Sequence, residues 1–412
     1  MIKNFFLSLL LLITFCSFAQ EGTSSPYSYF GIGDIRFRGT IENRAMGELS
    51  VIPDSIHINL QNPAMMSNIR LTTFSAAGTF SPTILKTKTQ KEKAQRTTLD
   101  YLSVVLPAKR FAVGFGLLPY SSVGYNIYRG DSDNANSFSG KGGVNRVYTA
   151  VSFRLNNQFN IGAEANYNFG EIETTNTSVT TIETSTRETN TSSVGGFSFN
   201  LGISHKAKLT NKLSIFSGLT YTPESNLNLE NARNIAVLQY TGTGQELVYD
   251  DLDVVVPDSK LKLPSKITFG TSVGELKKWA LGVQITSQSS SDFGNRFQNL
   301  SNVKFENSLR YSIGGFYIPK YSSFTSYWSR VNYRAGFRYE NTGLVINNLS
   351  ILDRSVTFGF GLPLSGTFSN INIGVELGKK GTTNANLVEE NYSNISVGFS
   401  FNDSWFQRRK YN

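Results

Sequence analysis

Hydrophobic and polar residues alternate with period two along most of the chain beyond residue 71. In 392–401, Ile395, Val397, Phe399 and Phe401 share one face of an extended segment, and Asn394, Ser396, Gly398 and Ser400 share the other. Val331, Tyr333, Ala335, Phe337 and Tyr339 oppose Asn332, Arg334, Gly336, Arg338 and Glu340 in the same way. Ile371, Ile373, Val375 and Leu377 oppose Asn372, Gly374, Glu376 and Gly378. One face is apolar and the other small and polar, as expected of a wall between lipid and a wet lumen or of a sheet packed on a second sheet.

The pattern predicts fourteen strands, at 72–80, 98–107, 110–120, 144–156, 158–170, 194–206, 212–222, 264–274, 278–288, 304–318, 327–340, 352–363, 370–379 and 392–402. Most have the ~9–11 residues that a tilted strand needs to cross the hydrocarbon. Connections after even-numbered strands read as short, 320–326 and 364–369 among them, and those after odd-numbered strands as long, with 81–97, 121–143, 171–193, 223–263 and 289–303. That rhythm selects the closed membrane barrel over the sandwich. The expected fold is all-β, a fourteen-stranded antiparallel transmembrane β-barrel, with both mature termini periplasmic in a bacterial outer membrane.

Residues 1–19 read as a signal peptide: a basic start with Lys3, an apolar run to Phe18, and Ser17-x-Ala19 before Gln20. The one cysteine of the sequence, Cys16, precedes that site, so the mature chain is expected to hold no disulfide. Residues 20–71 lack alternation yet carry Ile52, Ile56, Ile58, Leu60, Met65 and Met66, which need a dry place; an N-terminal arm and lumenal plug (hatch) supplies it. The barrel then spans 72–402, and 403–412 form a periplasmic basic, aromatic tail with Trp405, Phe406, Arg408, Arg409 and Lys410, suited to packing under the barrel, binding a partner or meeting inner-leaflet head groups.

The net charge of +9 is dispersed and suits contact with outer-membrane lipid and lipopolysaccharide; no motif supports nucleic-acid binding. Inward parity assigns Arg146, Arg154, Glu164, Arg310, Arg334, Arg338 and Glu376 to the lumen, which is therefore expected to be wet or internally ion-paired. Tyr101, Tyr148, Tyr167, Tyr221, Trp279, Tyr311, Tyr333 and Tyr339 read as interfacial anchors. The polar stretch 170–194 reads as a solvated, mobile loop. Pro119 falls inside an alternation that runs on through Val123, Tyr125 and Ile127; a strand end is the plainer expectation, a kink with Ser121 and Ser122 the other. His57 and His205, the only histidines, lie far apart in sequence without a catalytic or metal-ligand motif. No enzymatic activity, cofactor or metal is expected.

Asn43-Arg44-Ala45-Met46-Gly47, then Asp54-Ser55, then Asn62-Pro63-Ala64 before the first strand resemble the hatch of the long-chain fatty-acid transporter family of outer-membrane barrels. The resemblance implies a monomeric barrel and passive uptake of small hydrophobic compounds such as fatty acids. It also implies plug or gating roles for Asn43, Ala45, Gly47, Asp54, Asn62, Pro63 and Ala64, and a lateral route at a strand-three kink. The basic tail resembles relatives from lineages with type IX secretion. This implies the alternative, a non-transporting subunit of an outer-membrane assembly or secretion complex.

Overall fold

The computed structural model describes residues 22–130, 134–180, 184–241, 245–292 and 302–405. Its strands join one antiparallel sheet, of which fourteen form the closed wall. These are β1 (Thr72–Lys86), β2 (Lys91–Ala108), β3 (Phe111–Gly130), β4 (Asn134–Arg154), β5 (Phe159–Thr180), β6 (Ser185–Lys208), β7 (Ser214–Thr222), β8 (Lys266–Glu275), β9 (Trp279–Gln288), β10 (Ser308–Tyr317), β11 (Asn332–Ile346), β12 (Leu349–Pro363), β13 (Asn370–Gly381) and β14 (Glu389–Asp403). β14 returns to β1, from Asp403 opposite Thr72 to Glu389 opposite Lys86. Closure leaves the lipid-crossing wall without the outer edges of an open sheet, the condition for a sheet to stand in hydrocarbon.

Alternation sets the two surfaces. On β14, Ile395, Val397, Phe399 and Phe401 are exposed outward while Ser396, Ser400 and Asn402 are buried inward. Phe111, Val113 and Phe115 on β3, Phe197, Phe199 and Leu201 on β6, and Val356, Phe358 and Phe360 on β12 continue the outward apolar belt. Tyr101 and Tyr148 do not belong to it; both are buried inside. Tyr148 shares the parity of inward Arg146, and a register shift opposite Ala77 and Gly78 carries both Asp100 and Tyr101 inward.

Several expected loops are sheet. The stretch 170–194, expected to be mobile, pairs from Gly170 opposite Val194 to Ser178 opposite Thr186. Its Thr residues have good strand propensity, and standing above the lipid the stretch needs no apolar face. The 81–97 connection is likewise a continuation of β1 and β2 around a turn at 87–90. Strands Ser225–Tyr240, Glu246–Val254 and Ser259–Leu263 occupy most of the long β7–β8 connection, and the first lines the upper half of β6. β4, β5 and β6 have 21, 22 and 24 residues, roughly twice what the hydrocarbon requires. At the other, short-turn end the exception is the β10–β11 connection, 318–331, which presents Phe324 and Trp328 to solvent.

Residues 22–71 fill the bore. They include a short helix, Ile41–Arg44, and a 3-10 helix, Pro63–Asn68, and they bury Ile41, Leu49, Ile58, Leu60, Met65 and Met66. Ile58, Leu60 and Met66 join Tyr101, Val105, Ala112 and Tyr148 of the wall in one apolar cluster, which is the dry environment these side chains require.

Candidate functional site: the plugged bore and a parted edge

The plug is held by two grips on opposite walls. Asn43 Nδ2 donates to Leu49 O at 2.6 Å and shapes the tight turn at Gly47, whose φ is +67°. That turn presses on β10–β12. Gly47 N donates to Thr357 Oγ1 at 3.0 Å, and Thr357 Oγ1 donates to Ala45 O at 3.1 Å. A Cβ at Gly336 would stand 2.2 Å from Gly47 N, and one at Gly314 2.3 Å from Met46 O. On the far side, Asn62 accepts from Ala64 N at 3.0 Å, capping the 3-10 helix at Pro63, and donates to Ile203 O at 3.1 Å. There a Cβ at Gly162 would meet Ala64 N at 2.5 Å, and one at Gly202 would meet Asn62 Oδ1 at 2.2 Å. The inward glycines thus form a collar closed on the plug backbone, and side chains larger than hydrogen have no room there. Asp54 lies apart from both grips and binds His57 Nδ1 at 2.8 Å.

On both sides of the collar the inward charges pair. Arg338 Nη2 lies 2.9 Å from Asp353 and 3.1 Å from Glu376 and donates to Tyr392 OH at 2.8 Å; Nη1 is 2.8 Å from Glu340. Arg310 bridges Glu340 at 2.9 Å to the plug residue Glu48 at 2.5 Å. Arg334 donates to Asn372 at 3.0 Å, Glu164 pairs with plug Arg38, and Arg154 donates to Ser67 O. Of the seven charges assigned to the lumen by parity, six are tied to a side-chain partner and Arg154 to plug backbone. Arg146 donates to Asn168 at 2.8 Å and stacks 4.1 Å over Tyr120. Glu48, Glu340, Asp353 and Tyr392 were not singled out by sequence reasoning. Glu340 and Asp353 share inward parity with their partners, a usable signal, whereas Glu48 sits on a non-periodic plug.

In the plug, burial disfavours the His57 imidazolium, but the charges of Asp54 and Glu42 and the Asp54 hydrogen bond outweigh it and raise the His57 pKa. Asp54 is partly buried against ionisation, yet His57 and the Ile56 amide hold its carboxyl well below the usual range. His205 is elsewhere, with its ring 4.5 Å from Phe159. Among the described residues no group of His, Cys, Asp and Glu side chains could hold a metal ion.

The wall parts at β3. The β2–β3 ladder runs from Ala108 opposite Phe111 only to Leu102 opposite Leu117. On its other edge β3 continues to Gly130 opposite Ala135, with a bulge between Pro119 and Ser121. Pairing therefore stops on one edge of Pro119 and not on the other. Proline lacks the N–H that the ladder would use, and the extra residue turns β3 inward. The vacated edge is taken by a plug strand, Asp34–Ile35, opposite Ser122 and Ser121, with Arg36 N donating to Tyr120 O at 2.9 Å. Arg36 then reaches across to Thr98 Oγ1 of β2 at 2.6 Å. Pro119, Ser121 and Ser122 thus share one place, and the plug closes it from inside. Trp405 is exposed beyond β14; Phe406, Arg408, Arg409 and Lys410, like the expected signal segment, lie outside the described residues.

This geometry is that of a closed, antiparallel fourteen-stranded β-barrel, a fold it shares with solved hydrocarbon channels. The CymD monoaromatic hydrocarbon channel superposes with a TM-score of 0.60 at 15% identity, covering 92% of this chain and all of that one. The Ralstonia pickettii toluene transporter TbuX gives 0.59 at 14% identity, covering 89% and 99%, and a Pseudomonas aeruginosa FadL homologue gives 0.58 at 12%, covering 90% and 99%. At these identities the likeness is one of fold. A sequence model of the BamG family matches residues 1–412, and the chain belongs to that family. No curated protein matches it.

Proposed function

We propose that this protein is a non-enzymatic outer-membrane barrel of the hydrophobic-compound channel type, whose exchange with the membrane is lateral, at the parted β2–β3 edge, and not axial. The carrying observation is the β3 ladder, which ends at Leu117 toward β2 while continuing toward β4. The axial route is opposed by the glycine collar, and the charged bore offers an apolar solute nothing to gain by desolvation. In this reading the short-turn end and both mature termini face the periplasm. The Asn43–Gly47 and Asn62–Ala64 segments hold the plug, and the movable part is the strand at Asp34–Ile35.

A second reading is favoured by the match of the whole chain to the BamG family, which suggests an outer-membrane assembly context. In it the barrel is a subunit docked on assembly or secretion proteins through its loops and tail, and the charge-locked plug is simply its core. Uptake of a labelled small hydrocarbon by cells carrying Pro119→Ala, or a deletion of Tyr120 that removes the bulge, separates the two. Slower uptake at unchanged barrel abundance supports lateral exchange. Unchanged uptake, together with stoichiometric protein partners that co-purify in mild detergent and vanish when 404–412 is deleted, supports the subunit.

A further inference from the structure

Two cavities lie above the collar, and their charges differ. The larger, about 280 Å³, mixes seven carboxylates with six cationic side chains, among them the Arg338 network. The smaller, about 80 Å³, lies directly behind the parted edge and is lined by Arg36, Arg38, Arg146, Lys266 and Arg310 against the single carboxylate of Glu340. Arg38 and Arg310 have acidic partners in Glu164, Glu48 and Glu340. Arg36 and Arg146 are bonded to neutral oxygens, those of Thr98 and Asn168. Lys266 has inward parity, opposite to exposed Ile267, and its Nζ has no hydrogen bond or ion pair among the described residues. Its nearest charged neighbours are mostly cationic, Arg38, Arg310 and Arg146, against Glu164. The Nε of Arg38 is buried and also lacks a hydrogen-bond partner.

Arg36, Arg146 and the half-buried Lys266 have no carboxylate in hydrogen-bond contact, and five cations crowded around one small cavity favour an added anion. A monocarboxylate would neutralise one of them. A phosphoryl group carries about −1.5 to −2 charges when it is a monoester, and three acceptor oxygens, which matches converging guanidinium and ammonium donors. Ile35, Leu118 and Pro119 line the same cavity, and Ile35 is 47% exposed in the gap, so an apolar chain attached to the anion would leave through the parted edge.

We propose that the cavity bounded by Arg36, Arg146 and Lys266 binds the phosphoryl head of an amphiphile whose acyl chain lies in the β2–β3 gap. This names the ligand class for the lateral route and rests on that reading for the placement of the chain; the oxyanion site itself does not depend on it.

Isothermal titration of the full-length protein in mild detergent tests the proposal with three probes: inorganic phosphate, dioctanoylphosphatidate and octanoate. Both phosphates bind, octanoate binds at least about tenfold more weakly than the phosphatidate, and Lys266→Gln weakens both phosphates by about tenfold or more while Lys266→Arg restores them. Heat-modifiable migration in gels confirms that each variant is folded. Binding of neither phosphate, indifference to Lys266→Gln in the folded protein, or octanoate binding as tight as that of phosphatidate overturns the proposal. Lys266-dependent binding of inorganic phosphate without phosphatidate overturns the amphiphile and leaves a free-phosphate site, while the lateral route is decided separately by the hydrocarbon uptake of the Pro119→Ala and Tyr120-deletion variants.

Discussion

Two sides of the same bore solve the problem of inward charge differently. On the β10–β14 side, Arg338 and Arg310 are surrounded by Glu48, Glu340, Asp353 and Glu376, and the plug turn at Gly47 presses on bare glycines. On the β2–β4 side the plug meets a strand edge that has lost its neighbour, and Arg36 and Arg146 answer only to neutral oxygens. The carboxylates crowd around the cations where the plug is fixed, whereas where the wall is open Asp34 and Asp100 are taken by Lys380 and Arg44. Rigidity and binding capacity are thus separated around the circumference.

The sharpest way to break that comparison is to remove its central cation. Arg338 is 6% exposed and faces four carboxylates, so Arg338→Met leaves buried charges uncompensated at a cost of roughly 3–5 kcal/mol. The urea midpoint of the barrel in detergent should fall accordingly, and digestion between 42 and 50 should appear in the folded population. A loss within the ~0.5 kcal/mol of an ordinary surface substitution would mean that the network does not secure the plug.

The collar is the next most sensitive element. Gly336→Ala places a methyl group against the plug backbone at Gly47 N, a contact that no side-chain rotation can relieve. The expected destabilisation is about 1–3 kcal/mol, with increased hydrogen exchange at 45–47. Gly366, which has nothing within 4 Å of its added Cβ but a positive φ of +77°, is the control: alanine there strains only its own turn. Equal effects on plug exchange at the two sites would remove the case for a collar.

The parted side should respond more weakly in stability and more strongly in access. Pro119→Ala restores a ladder donor without removing the bulge, and its effect on the unfolding midpoint should stay below about 1 kcal/mol. Arg36→Gln breaks the reach to Thr98 and should raise exchange at 34–36 while leaving 45–47 unchanged. Increased exchange in both segments would show that the plug moves as one body and that the two sides are not independent.

Much of the wall is legible in sequence because a closed sheet exposes its period directly: the outward belt of β14 or β12 can be read two residues at a time. The legible part stops where period two stops mattering. Above the lipid, Thr175 or Ser193 needs no apolar face, so the sheet continues through residues that read as loop, held by pairing with the neighbouring strand. Register shifts hide other features, as with Tyr101, carried inward by the bulge at Asp100. The glycines were visible, but not that Gly162 and Gly336 face plug backbone, since that contact joins distant parts of the chain. The Arg338 partners could be half read from parity. Lys266 could not, because a strand-end lysine reads as solvated until the cavity behind it is seen.

The smallest expected effect concerns the one titrating pair that fixes the plug loop. His57 has a raised pKa in the folded protein, so its contribution is fully present below the unfolded value of about 6.5 and is lost as pH rises through the raised folded value. Asp54 is depressed; its contribution is present above about 3.9 and is lost as pH falls through its lowered folded value. Between these limits both partners are charged, and the loop 54–57 should exchange most slowly there. The Asp54 side chain is 38% exposed, so solvent screening should keep the effect below about 1 kcal/mol. Hydrogen exchange of 54–57 followed from pH 5 to pH 9, corrected for the intrinsic rate, should show protection falling as pH rises through the raised value, and His57→Gln should flatten the profile. The collar segment 45–47 should show no such dependence; if it follows the same curve, the histidine governs the whole plug and the division between a fixed side and an open side is lost.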